Sequence, residues 1–174
     1  FAKLMSASRK KHVQRKGGKN TYGGTELDWL HLNSLDLIND GELIVSSREE
    51  SSLVKVSNIY KKPKIKYIIH SGSLYLLKRT GVKFVGHAGQ HTITVEKDDT
   101  LPNGQYYLYL YNNNFGSAKT LPKFSWKSYK GVGSYKKGKA SYYYKYLVDE
   151  KKKTYRLVKI CCSLFQCCQQ CPAF

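Results

Sequence analysis

Two histidines, an arginine and an asparagine are the residues best suited to chemistry in this chain. His31 and Asn33 fall in Asp28-Trp29-Leu30-His31-Leu32-Asn33-Ser34, and Arg48 closes Ser46-Ser47-Arg48. His91 lies in Gly86-His87-Ala88-Gly89-Gln90-His91-Thr92. Histidine is scarce, with five in 174 residues, yet His31 and His91 each open a strand-like run. Together these residue types suit the handling of an anionic ester. A neutral imidazole is nucleophilic near neutral pH, since its ordinary pKa is about 6.5, and it can carry a sulfuryl or phosphoryl group covalently. Arginine offers a rigid fork of donors that fits sulfate or phosphate oxygens. Asn33 and a second histidine would add donors around the equatorial oxygens, and that histidine could protonate a leaving phenolate. On residue type alone, a histidine near a strand end is more often a surface or satisfied core group. A metal site is a further alternative. His31, His87 and His91 come without a clear carboxylate partner, and no HxH or HExxH spacing appears, so no metal is expected.

The elements that must position these residues read as β throughout. Short runs rich in Val, Ile, Leu, Thr and Tyr alternate with turn signals. The runs are Trp29 to Ile38, Glu42 to Ser47, Ser52 to Ser57, Ile65 to His70, Ser73 to Lys78, His91 to Glu96 and Gln105 to Tyr111. Ser141 to Val148 and Thr154 to Ile160 form a final hairpin around Asp149-Glu150. Asn39-Asp40-Gly41 and Pro102-Asn103-Gly104 supply turns that tolerate positive φ. No segment holds a 3.6-residue apolar period, so little helix is expected. A weak repeat links the halves: a histidine opens a strand, a Gly-containing turn follows, and the return strand ends in Ser46-Ser47-Arg48 or in Asn112-Asn113-Asn114. The two histidines stand 60 residues apart, which fits one blade of about 40–50 residues plus a loop. The repeat favours part of a β-propeller, whose strand ends and loops line a central channel. Strand alternation would put His31 and Asn33 on one side, with Arg48 reaching the same cavity.

The net charge is +18, which attracts nucleic acid, anionic surfaces or anionic substrates. The excess is dispersed over Arg9-Lys10-Lys11, Lys61 to Lys66, Lys136 to Lys139 and Lys151-Lys152-Lys153, as on a solvated surface. A basic β-rich module binding a polyanion or nucleic acid without catalysis is the alternative reading, since Tyr142-Tyr143-Tyr144 beside lysines imitates a stacking groove. No stretch is apolar enough to span a bilayer. The chain divides into a basic polar leading segment (1–23), β blades (24–160) and an atypical Cys-rich tail (161–174). The five cysteines lie in that tail, with Cys168 and Cys171 as a CxxC. No second pair stands elsewhere to complete a zinc site.

The run from Asp28 to Ser34, followed by Ile44-Val45-Ser46-Ser47-Arg48, resembles the bacterial arylsulfotransferases (aryl-sulfate sulfotransferases). Gln90-His91-Thr92, then Leu101-Pro102-Asn103-Gly104 and Tyr111-Asn112-Asn113-Asn114, is similar to the next block of that family, so the resemblance covers roughly Gly24 to Lys159. It implies an all-β, partial propeller, holding about three of six blades. It implies sulfuryl transfer from an aryl sulfate donor to a phenolic acceptor through a sulfohistidine, with no cofactor, no metal and no nucleic acid. It implies a periplasmic or extracytoplasmic setting. By position, His91 matches the histidine that is transiently sulfated, and His31, Asn33 and Arg48 match residues that bind the sulfuryl group and assist proton transfer. The family is several times longer, and its upstream histidine has no counterpart here. Glu49 stands where many relatives carry histidine. The expectation is a fragment, the C-terminal portion of the propeller, with weak or no activity alone; its remaining blades are missing and homo-oligomerisation stays open.

Overall fold

Period-two alternation of apolar residues, punctuated by glycine turns, gives this chain its strands. The computed structural model describes residues 30–48, 50–70, 77–82, 84, 86–113 and 141–162. Strands β1 (Leu32–Asn39), β2 (Glu42–Ser47), β3 (Ser52–Ser57) and β4 (Lys64–His70) form one antiparallel meander. A second meander comprises β6 (His91–Glu96), β7 (Gln105–Asn112), β8 (Tyr142–Asp149) and β9 (Thr154–Cys162). The short β5 (Lys78–Thr80) joins β9 in parallel at the outer edge. Among the described residues there is no helix. Each meander is a four-stranded sheet of the kind that makes a propeller blade, so the architecture is all-β, a partial β-propeller. Two blades lie within the described residues, where about three were expected.

Local sequence explains the ladder. In β7, Tyr106, Leu108 and Leu110 are buried while Tyr107, Tyr109 and Tyr111 stay half-buried, a strict period of two. In β8, Tyr142, Tyr144, Tyr146 and Val148 turn the same way into the core. Gly41 and Gly104 take φ of 77° and 90° at the β1–β2 and β6–β7 connections, the left-handed region that glycine enters without a steric penalty.

The two sheets stack face to face. Ile38, Ile44, Leu53, Tyr67 and Ile69 from the first meet Leu108, Leu110, Tyr144 and Tyr146 from the second in one core. The first strands of the two meanders, β1 and β6, run side by side. Edge amides of β6 would be orphans there, and β1 answers them with side chains. Ser34 Oγ accepts from Ile93 N at 3.1 Å and Asp36 Oδ2 accepts from Val95 N at 2.7 Å. Further along the seam, the buried Lys55 of β3 reaches Glu42 at 2.8 Å and Glu150, in the β8–β9 turn, at 2.5 Å.

Most expected strands stand close to their boundaries. The run expected from Trp29 begins as β1 at Leu32, so His31 lies just ahead of the strand. Of the run expected over Ser73 to Lys78, residues 73–76 lie outside the described residues; Lys78 opens β5. Tyr142-Tyr143-Tyr144 is part of β8, with Tyr142 and Tyr144 fully buried and only Tyr143 exposed. That triplet is therefore core packing rather than a stacking groove. The tail beyond Cys162 lies outside the described residues, and β9 itself continues through Cys161 and Cys162.

Candidate active site

The start of β1, the end of β2 and the start of β6 meet at one end of the seam, and they bring three of the sequence-selected residues together. The His31 and His91 rings lie edge to face, with centroids 6.5 Å apart. Arg48 N donates to His31 O at 3.1 Å, which ties the end of β2 to the approach of β1. Ser47 Oγ donates to Leu30 O at 2.7 Å and holds the same approach one residue earlier.

The segment leading to His91 is clamped by side chains from four directions. Ala88 N donates to Asn112 Oδ1 at 2.9 Å, and Asn113 Nδ2 donates to Gly89 O at 2.6 Å. Gly89 N donates to Ser51 Oγ at 3.3 Å. Gln90 is fully buried; its Nε2 lies 3.0 Å from Ser46 Oγ, 3.0 Å from Ser47 O and 3.1 Å from Ser52 O. Asn33 Nδ2 donates to Gln90 O at 2.7 Å. Buried amides are kept only where partners meet them, so this lattice fixes the backbone that presents His91.

The backbone is strained at His31 and at Thr92, the residue after His91. His31 has φ of 46° and Thr92 has φ of 51°. Positive φ in a β-branched residue costs of order 1–3 kcal/mol and persists where the surroundings over-determine it. Both inner strands also carry a register irregularity at their start, between Leu32 and Ser34 and between His91 and Thr94. His31 precedes the strand and Asn33 sits in the bulge, so their placement rests on local irregularity rather than on simple alternation. Both side chains meet the segment that carries His91: Asn33 through the Gln90 carbonyl and His31 through its ring.

Electrostatics favour an uncharged His91. Burial lowers its pKa below the ordinary value, and the positive charge of Arg48 and the neighbouring His31 lower it further. A neutral imidazole is nucleophilic and a guanidinium beside it attracts an anionic group. His87 is a different case. It is buried, with Nδ1 3.1 Å from the Tyr146 hydroxyl, and burial, with His70 and Arg79 nearby, pushes its pKa down to about 3. It is a core histidine. Among the described residues, no group of three or more His, Cys, Asp or Glu side chains is placed to hold a metal ion.

Sequence reading missed the supports: Ser46, Ser51, Ser52, Gln90, Asn112 and Asn113. The signal was present, since most of these stand inside or beside the motif blocks, but small polar residues at strand ends read as turn formers.

The fold and site define a class: a propeller portion with a histidine–arginine site at one end of its inner strands. A family model described as Arylsulfotransferase (ASST) matches residues 1–160, and the chain belongs to that family. Membership places it among aryl sulfate sulfotransferases, which act on aryl sulfates and phenols. No curated protein matches the chain. No helix among the described residues is long and apolar enough to cross a membrane.

Proposed function

We propose that this chain carries the sulfuryl-accepting site of an arylsulfotransferase and that His91 is its nucleophile. A ring nitrogen of His91 attacks the sulfur of an aryl sulfate. The nitrogen–sulfur bond forms as the sulfur–oxygen bond to the ring breaks, and the departing phenolate takes a proton from His31. In the second half, a phenol oxygen attacks the same sulfur, the nitrogen–sulfur bond breaks, and His31 takes the phenol proton. Arg48 neutralises charge on the sulfuryl oxygens in both halves, where fixed positive donors are most effective. Asn33 and Gln90 act as positioning residues, holding the backbone that presents the nucleophile. The setting is extracytoplasmic, as for the family.

The observation that carries this reading is the His91 ring set against His31 beside the Arg48 strand end, on a clamped segment. The test is peptide mass analysis after incubation with a nitrophenyl sulfate. A sulfuryl adduct on the His91 peptide, absent in His91→Ala, is expected; a wild-type chain that never acquires it sinks the mechanism. Turnover by the chain alone is expected to be weak or absent, because the two blades among the described residues enclose only part of a channel. Rapid phenol release that disappears in His91→Ala contradicts that expectation.

A further inference from the structure

The seam between the blades has a second opening, at the end away from His31 and His91. A cavity of about 410 Å³ lies there, between the β1–β2 turn, the β6–β7 connection and the β8–β9 turn. Sites for small molecules hold about 300–1,000 Å³. Every residue that lines this cavity is a described one.

Its charge is opposite to that of the chain. Of the twelve carboxylate side chains, four lie in its wall, those of Glu42, Asp98, Asp99 and Glu150, against two lysines, Lys55 and Lys97. The wall is thus negative in a chain of +18. The charges fall into two groups on different elements. The buried Lys55 bridges Glu42 Oε2 and Glu150 Oε1, which leaves that group one negative charge and occupies one oxygen of each carboxylate. Asp98 and Asp99, next to Lys97 in sequence, leave a second negative charge on the β6–β7 connection. The Thr100 hydroxyl and amide both donate to Asp98 Oδ1 and hold its pKa below the ordinary value, so Asp98 is ionised at neutral pH.

Carboxylates in a wall attract cations of every kind, and Tyr106 narrows the choice. It is 4% exposed and forms part of the same wall. Its hydroxyl lies beside the Glu150 carboxylate but out of hydrogen-bonding geometry with every described group. Burial and that carboxylate push its pKa up, so it keeps its proton and its lone pairs can accept. A buried polar atom without a partner is costly, and a ligand N–H would supply one. A metal ion fits poorly, since among the described residues no three acidic side chains converge on one point. Two separated negative groups suit an extended cation instead. Ile38, Leu101 and Pro102 add apolar surface to the wall.

We propose that this cavity binds a small organic dication, a linear diamine. One ammonium meets Glu42, Glu150 and the Tyr106 hydroxyl, the other meets Asp98 and Asp99, and the methylenes lie against the apolar surface. The site is separate from the histidine site and spans both blades.

Calorimetric titration of the full chain with diaminobutane (one amine at each end), at constant ionic strength, tests this. Saturable binding of one diamine per chain is expected. The double variant Asp98→Asn/Asp99→Asn is expected to bind about tenfold more weakly. Tyr106→Phe also weakens binding, yet its thermal transition does not fall, because the lost hydroxyl has no partner in the free protein. Butanediol of the same length, which carries no charge, binds far more weakly than the diamine. A wild-type chain without saturable binding overturns the proposal. So does a diol bound as well as the diamine, or an affinity unchanged in Asp98→Asn/Asp99→Asn. Calcium chloride that binds more tightly than the diamine, and loses affinity in the same double variant, would also overturn it and make this a metal site.

Discussion

His91 owes its protonation state to what surrounds it. With its pKa lowered by burial, Arg48 and His31, it stays unprotonated at pH values where a free imidazole already titrates. The acid limb of adduct formation is therefore expected below pH 6.5. Arg48→Ala removes one of the charges that lowers the pKa, so the limb moves to higher pH. The same change removes a charge-stabilising donor, and the rate above the limb falls by about 10²–10³. A pH series of adduct formation on both proteins reads the two effects separately. His87 governs stability instead. Its folded pKa of about 3 lies below its unfolded value near 6.5. As pH falls below 6.5 the unfolded chain binds a proton that the folded chain refuses, so stability drops by up to about 1.4 kcal/mol per unit. His87→Gln, which keeps a partner for the Tyr146 hydroxyl, is expected to flatten that slope in urea unfolding measured from pH 7 to pH 4.

At the scale of elements, the seam between the blades depends on side chains that answer backbone groups. Asp36→Ala leaves the Val95 amide without its acceptor, at a cost of about 1–3 kcal/mol, while Asp36→Asn keeps an oxygen there and costs less. Thermal unfolding of the pair distinguishes loss of the acceptor from loss of the charge. Lys55 joins β3 to Glu42 and to the β8–β9 turn. Lys55→Ala removes a buried cation from between two carboxylates that solvent partly reaches, so it falls near the lower end of the usual range for a broken buried pair, about 3 kcal/mol. Equilibrium denaturation measures it. The strands themselves were legible in advance because alternation is local: Gln105 to Tyr111 states its buried face residue by residue. The bulges at the starts of β1 and β6 were not, since nothing local distinguishes Asn33 or Thr92 from an ordinary strand residue.

For the whole molecule, a net charge of +18 attracts anionic partners without selecting among them. Salt screens that attraction over about 10 Å at 0.1 M, so binding of a polyanion is expected to weaken across a salt series.

The sequence by itself determined the β architecture, the repeat and the choice of His31, Arg48 and His91, because residue type and short-range spacing carry that information. The tertiary structure alone decided how those residues meet. It put the His31 ring beside His91, tied Asn33 to the Gln90 carbonyl, and buried His87 against Tyr146. It also set Lys55 between carboxylates on two blades. Apart from the Lys55–Glu42 pair, these contacts join positions 57 to 95 residues apart. Chain-local preferences do not reach that far, and only the stacking of one sheet on the next brings such residues into hydrogen-bonding range.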